Sequence, residues 1–116
     1  MRSVVIHDSA ADRDLRPLLE RVPDLGIFES DDTPLQSVIA WAQVCDLARV
    51  FVLWDSCKLS DDFDIVDLNI EADLAQEGNC DALILGDNDC AVYFASSYAK
   101  VLRGEPLLRV RELPNA

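Results

Sequence analysis

Short apolar runs alternate along this chain with segments whose apolar residues recur every three or four positions. Residues 3–7, Ser-Val-Val-Ile-His, form a β-branched run of the kind that fills a buried strand. Leu15, Leu18, Leu19 and Val22 follow at helical spacing, with Pro17 confined to the first turn and Pro23-Asp24 as the stop. Leu25-Gly26-Ile27-Phe28 predicts a second short strand. Capping residues and Pro34 then open a second helix, whose stripe runs through Leu35, Val38, Ile39, Ala42, Cys45 and Leu47, with Trp41 at its border. Val50-Phe51-Val52-Leu53-Trp54 is almost continuously apolar, the mark of a central strand covered on both faces.

The second half is less regular. Asp61 to Leu68 alternates loosely, whereas Ile65, Leu68, Ala72 and Ala75 fit one helical face, so a loop followed by a helix is expected between 58 and 79. Ala82-Leu83-Ile84-Leu85 reads as a strand ending in Gly86-Asp87-Asn88-Asp89. From Cys90 to Gly104 two readings stand. Ala91, Phe94, Ala95, Tyr98 and Leu102 have helical spacing, with Asp89 as cap and Gly104 as stop, and this helix is the preferred reading. The alternative pairs Ala91–Ala95 with Ala82–Leu85 as a hairpin. Leu107 to Arg111 makes a last strand. Strand and helix thus alternate about four times, which predicts a single α/β domain over 1–116. Its expected form is a three-layer αβα sandwich around a mostly parallel sheet of about five strands, with the fifth helix missing.

Composition narrows the function. Half of the 116 residues are hydrophobic, too many for a disordered acidic tail. No apolar run approaches the length of a membrane helix, and Met1-Arg2-Ser3-Val4-Val5-Ile6-His7-Asp8 meets charge too early for a signal peptide. The net charge is −12, and residues 50–99 hold eleven acids against Lys58 alone. Direct nucleic-acid binding is therefore not expected, since each neutralised phosphate needs a Lys or Arg. Such a balance suits a basic partner, a metal ion, or a solvated face. Cys45, Cys57, Cys80 and Cys90 lack any C-x-x-C pair, which argues against zinc. Cys45 on its apolar stripe reads as a buried thiol, and four scattered thiols point to a cytoplasmic protein.

Strands that run parallel end on one edge, where ligands of such sheets bind. The strand ends here read Asp8-Ser9, Glu29-Ser30, Asp55-Ser56 and Gly86-Asp87. Asp8 and Asp55 become neighbours if their strands are adjacent, and paired carboxylates must take up protons or recruit a hard cation. Magnesium is the cofactor such a site would take, with Asp8 and Asp55 as ligands. The competing reading is that these residues only cap the following helices. Asp87-Asn88-Asp89 looks like part of a calcium loop, but the required Gly and the distal Glu are absent. His7 beside Asp8 is a weak candidate base, because no motif supplies a nucleophile, and no Gly-rich loop supports nucleotide binding.

Val4-Val5-Ile6-His7-Asp8-Ser9, with its Leu-Leu helix and Val-Pro-Asp turn, resembles the opening of a response-regulator receiver domain. Cys45 to Asp55 resembles that family's third strand, whose end carries the phosphoacceptor aspartate. The resemblance covers residues 3–57 and implies a flavodoxin-like fold with Asp55 in the phosphoacceptor-like position. His7 replaces one of two adjacent acids, Gly86 stands where Ser or Thr is usual, and Leu113 precedes Pro114 where the family has Lys. The nearby cations are Arg109 and Arg111. These losses weaken magnesium binding and remove the groups that hold a phosphoryl oxygen, so the resemblance is to a degenerate, pseudo-receiver form.

Two functions follow, neither of them enzymatic. The first is a regulatory protein–protein interaction module, not conventionally phosphorylated. With no fifth helix, part of one sheet face would stay apolar and be buried in a homodimer or hetero-complex. The second is a small acidic inhibitor or immunity protein that blocks a basic partner such as a nuclease or DNA-binding protein. Its contact surface would be Asp61, Asp62, Asp64 and Asp67. Carboxylates gathered at the strand ends favour the first reading, and an outward acidic stripe after Asp55 favours the second.

Overall fold

The computed structural model describes residues 1–30, 33–86 and 90–113. The capping residues Asp31 and Asp32, the Asp87-Asn88-Asp89 turn and Pro114 lie outside them. Over the described residues the chain is an α/β protein with six strands and four helices. The strands are β1 (Arg2–His7), β2 (Gly26–Glu29), β3 (Arg49–Trp54), β4 (Ala82–Leu85), β5 (Cys90–Phe94) and β6 (Val110–Leu113). The helices are α1 (Arg16–Arg21), α2 (Pro34–Val44), α3 (Ile65–Glu77) and α4 (Tyr98–Leu102), with single 3-10 turns at Ser9–Ala11 and Ala95–Ser97. No helix among the described residues is long and apolar enough to cross a membrane.

The β-branched runs become the centre of the sheet. Val4, Val5, Val50, Phe51, Val52 and Leu53 are fully buried, because both faces of β1 and β3 are covered. Prolines open α1 and α2 in their first turns, where the missing N–H has no intrahelical partner to lose. Three helices are followed by a non-glycine residue in the left-handed region, Asp24 after α1, Asp46 after α2 and Asn79 after α3. Gly104 does the same after α4. Two aspartates of the acidic excess therefore serve backbone turns.

The sheet is mixed, with order β2-β1-β3-β5-β4-β6. β1 pairs in parallel with β2 and β3, and β4 with β6, but β5 is antiparallel to both neighbours. Against the expected mostly parallel sheet of about five strands, the described sheet has six, and β5 alone among them runs against the others. Cys90–Phe94 is the hairpin partner of Ala82–Leu85, and only the later part of the 90–104 segment is helical. The preferred helix across that segment is thus overturned for its first five residues. Cys90, Val92 and Phe94 point into one core and Ala91 and Tyr93 into the other, so two-sided burial erased the alternation that marks a strand.

One face of the sheet packs Leu18 and Val22, at α1, with Leu68, Ala72 and Ala75 of α3. The opposite face packs Val38, Ile39 and Ala42 of α2 with Tyr98 and Val101 of α4. The first two crossovers run to opposite sides of β1 on opposite faces, so they share one hand. The β3–α3–β4 crossover runs in the same direction as the second but over α1's face, which gives it the other hand. Nearly all parallel crossovers are right-handed, so a mixture is unusual. The ten-residue connection 55–64 precedes α3 and gives the chain room to change faces. As a result, α3 covers the sheet face expected to stay bare: Phe51, Leu53, Leu83, Val92 and Phe94 are all fully buried beneath that layer.

The cysteines also depart from expectation. Cys57 and Cys90 form a disulfide, with Cα atoms 6.4 Å apart, joining the end of the β3 turn to the start of β5. Cys45 lies beyond the last turn of α2 and is exposed, not buried. The cysteines are not four thiols, and their usage no longer argues for a reducing compartment.

Candidate functional site

The strands β1, β2, β3, β4 and β6 point the same way, so Asp8, Glu29, Asp55 and Gly86 do share one edge. Adjacent β1 and β3 bring Asp8 beside Asp55, as the sequence predicted. The two carboxylates do different work, however. Asp8 Oδ1 accepts from the N–H of Ala10 at 3.0 Å and caps the 3-10 turn. Asp55, its side chain 8% exposed, is held by the chain itself. Its Oδ2 accepts from the backbone N–H of Asp8 at 2.9 Å, and its own N–H donates to the Ile6 carbonyl at 3.0 Å. The side chain of Asp55 thus adds one more rung to the parallel β1–β3 ladder.

Two cationic or potentially cationic groups complete this environment. Arg13 Nε lies 3.4 Å from Asp55 Oδ1. His7 Nδ1 lies 3.2 Å from Oδ2, close enough for an ion pair when protonated, but it is buried and not aligned for a hydrogen bond. Both carboxylate oxygens of Asp55 already face donors. Arg13 sets a positive charge against Oδ1, and among the described residues no cluster of three His, Cys, Asp or Glu side chains could hold a metal ion. The donor set does not fit magnesium.

An open cleft of about 540 Å³ runs from Asp55 along α1, lined by Arg13, Pro17, Leu18, Arg21, Lys58 and Leu59 among others. Its outer wall is fixed by Arg21. That guanidinium donates to the carbonyls of Ser60 and Phe63 and lies 5.9 Å from the Phe63 ring centroid. Cys57 of this cleft is in the disulfide, so it offers no thiolate.

The positions that the receiver resemblance would give to phosphoryl binding hold other groups. Gly86 has φ +60°, a left-handed conformation suited to glycine, and its N–H donates to the Leu113 carbonyl at 2.8 Å. Arg111 pairs with Glu71 of α3 at 2.7 Å, away from Asp55. Arg109 is exposed. The cation that does reach Asp55 is Arg13, which sequence reasoning missed; its only signal was a cation in the loop following a strand that ends in an acid.

The second acidic group lies elsewhere. Asp61, Asp62, Asp64 and Asp67 are all exposed on the β3–α3 connection and the first turn of α3. Asp64 caps that helix, its Oδ1 accepting from the Val66 N–H at 2.8 Å. The surface continues along α3 as Val66, Ile70 and Leu74, exposed at 61%, 53% and 49%. Spaced i, i+4, i+8, they form a single outward ridge. Arg49 fixes this orientation from β3, reaching Asp73 at 2.6 Å, Gln76 at 3.3 Å and Asn69 at 3.5 Å.

At the opposite end of the sheet, sequence reasoning also missed Asp81. Burial pushes its carboxyl up, but the backbone N–H of Leu108, the Lys100 ammonium and the N–H of Arg109 outweigh this and hold it below its ordinary value. No family model matches the chain, and no curated protein or solved structure matches it significantly.

Proposed function

We propose that this protein is a non-catalytic protein-binding module, resembling a pseudo-receiver in its first half, with Asp55 as a structural carboxylate in place of a phosphoacceptor. The observation that carries this reading is that Asp55 accepts the Asp8 N–H and lies against His7 and Arg13. An incoming phosphoryl group would have to displace those partners. Once attached, it would meet neither a magnesium-binding acid pair nor a hydroxyl after β4, since Gly86 stands there. Regulation by contact needs none of these groups.

The test is direct. Incubation with a small acyl phosphate and magnesium, followed by mass spectrometry, should leave the chain unmodified. A phosphoryl adduct that disappears in Asp55→Asn would overturn the reading.

A second reading is favoured by one observation of its own. Asp61, Asp62 and Asp67 face outward on the segment after Asp55, as expected for an acidic inhibitor of a basic protein. Inhibition of a basic nuclease that weakens steeply between low and high salt would establish it. Inhibition indifferent to salt, or none at all, would sink it.

A further inference from the structure

We propose that the outward ridge of α3 is a docking site for a basic amphipathic helix of a partner protein. This rests on the protein-binding reading above and assigns it a surface. Three observations converge on the occupant. First, Val66, Ile70 and Leu74 are about half exposed or more, and all lie on a helix whose other face already buries Leu68, Ala72 and Ala75. The helix needs no apolar outer face for its own packing.

Second, the ridge follows an i, i+4 row, the geometry that interdigitates with the matching groove of another helix. Its 13 residues offer roughly 20 Å of contact length, about four turns of a partner helix. Third, acidic side chains predominate around the ridge. Asp67, Asp73 and Glu77 are exposed around the ridge, Asp61 and Asp62 extend it beyond the N-terminus, and α3 contains no Lys or Arg. Asp73 is paired with Arg49 and Glu71 with Arg111, and Asp67, Glu77, Asp61 and Asp62 carry the remaining acidic charge along the rim. A second copy laid across α3 would set acid against acid, whereas Lys and Arg flanking an apolar stripe would pair with the rim as the ridge becomes buried.

The probe is a synthetic peptide of about 18 residues with Leu at helical spacing and Lys on the flanks, beside a scrambled peptide of identical composition. Fluorescence anisotropy at physiological salt should show the amphipathic peptide binding at least about tenfold more tightly than its scramble. Ile70→Asp should abolish that preference, and Val44→Asp, at an exposed position on α2, should leave it intact. Circular dichroism of both variants checks that the fold is kept. Equal binding of the two peptides would mean that charge alone attracts them, and the proposal fails. It also fails if sedimentation reveals a dimer that Ile70→Asp dissociates, because a second copy then occupies the ridge. A preference that survives Ile70→Asp removes α3 but leaves the protein-binding reading standing. An Asp55 phosphoryl adduct, measured separately, would strike that underlying reading instead.

Discussion

Asp55 and Asp81 stand at opposite ends of the sheet and use the same backbone device. Each donates its own N–H to a neighbouring segment, Asp55 to Ile6 and Asp81 to Arg109. Each then accepts an N–H from that segment on Oδ2, from Asp8 in one case and from Leu108 and Arg109 in the other. In both, an aspartate side chain prolongs a parallel pairing, β1 with β3 and β4 with β6. The difference lies in the company. Asp81 is clamped by Lys100 through both oxygens, at 3.1 and 3.2 Å. Asp55 has a half-exposed Arg13 at longer range and a poorly aligned His7, and it opens on a cleft. A carboxylate at the end of a strand is therefore not chemistry by virtue of its position, since the same arrangement appears on the edge where no ligand is expected.

The largest expected effect comes from breaking the tighter of the two. Asp81→Ala removes a charged acceptor from two backbone N–H groups and leaves Lys100 unpaired, at an expected cost of about 2–3 kcal/mol. For a domain of this size that is a fall in Tm of roughly 8–12 °C, measurable by thermal unfolding. Asp55→Ala should cost less, about 1–2 kcal/mol, because one N–H is orphaned and the cation beside it is already solvated. If Asp55→Ala proves the more damaging, the ranking of the two clamps is wrong.

A third measurement sharpens the contrast with pH. The folded-state carboxyl of Asp81 is held below its ordinary value, so its contribution is complete above the unfolded value, about 3.9. That contribution is lost as pH falls through the lower folded value. Asp81→Asn should therefore flatten the acid limb of stability below about pH 4. An unchanged acid slope would show that the Lys100 and backbone partners do not hold the ionised form.

Much of the fold was legible because local pattern and tertiary role agreed. The runs at 3–7, 50–54 and 82–85 are strands buried on both faces, and Leu68, Ala72 and Ala75 do form the inner face of α3. The hairpin was obscured because β5 sends alternate residues into two apolar cores, leaving no polar beat to read. The crossing of α3 to the face of α1 depends on handedness and loop length, which no residue periodicity encodes. At the strand ends, adjacency of Asp8 and Asp55 followed from topology, but whether two carboxylates share a ligand or take backbone partners depends on a fraction of a turn after the strand. Val66, Ile70 and Leu74 were hidden for a related reason: with apolar residues on both faces of α3, the inner stripe accounts for the pattern and the outer one looks like noise.

The smallest effect tests what holds Asp55. Arg13 is half exposed, and its Nε stands 3.4 Å from Oδ1, longer than a good charge-assisted hydrogen bond. Solvent screens such a pair, and the long side chain loses rotamer freedom to make it, so Arg13→Gln should change stability by no more than about 0.5 kcal/mol. The Asp8 N–H, by contrast, is a fixed donor at 2.9 Å that costs no side-chain entropy to place. Asp55→Asn keeps a side-chain carbonyl for that donor while removing the charge, and it should fall between Arg13→Gln and Asp55→Ala. The order of the three variants then separates the ladder rung from the ion pair. Should Arg13→Gln cost as much as Asp55→Ala, the ion pair holds the carboxylate, and the likeness to the Asp81 clamp would rest on the cations in place of the backbone.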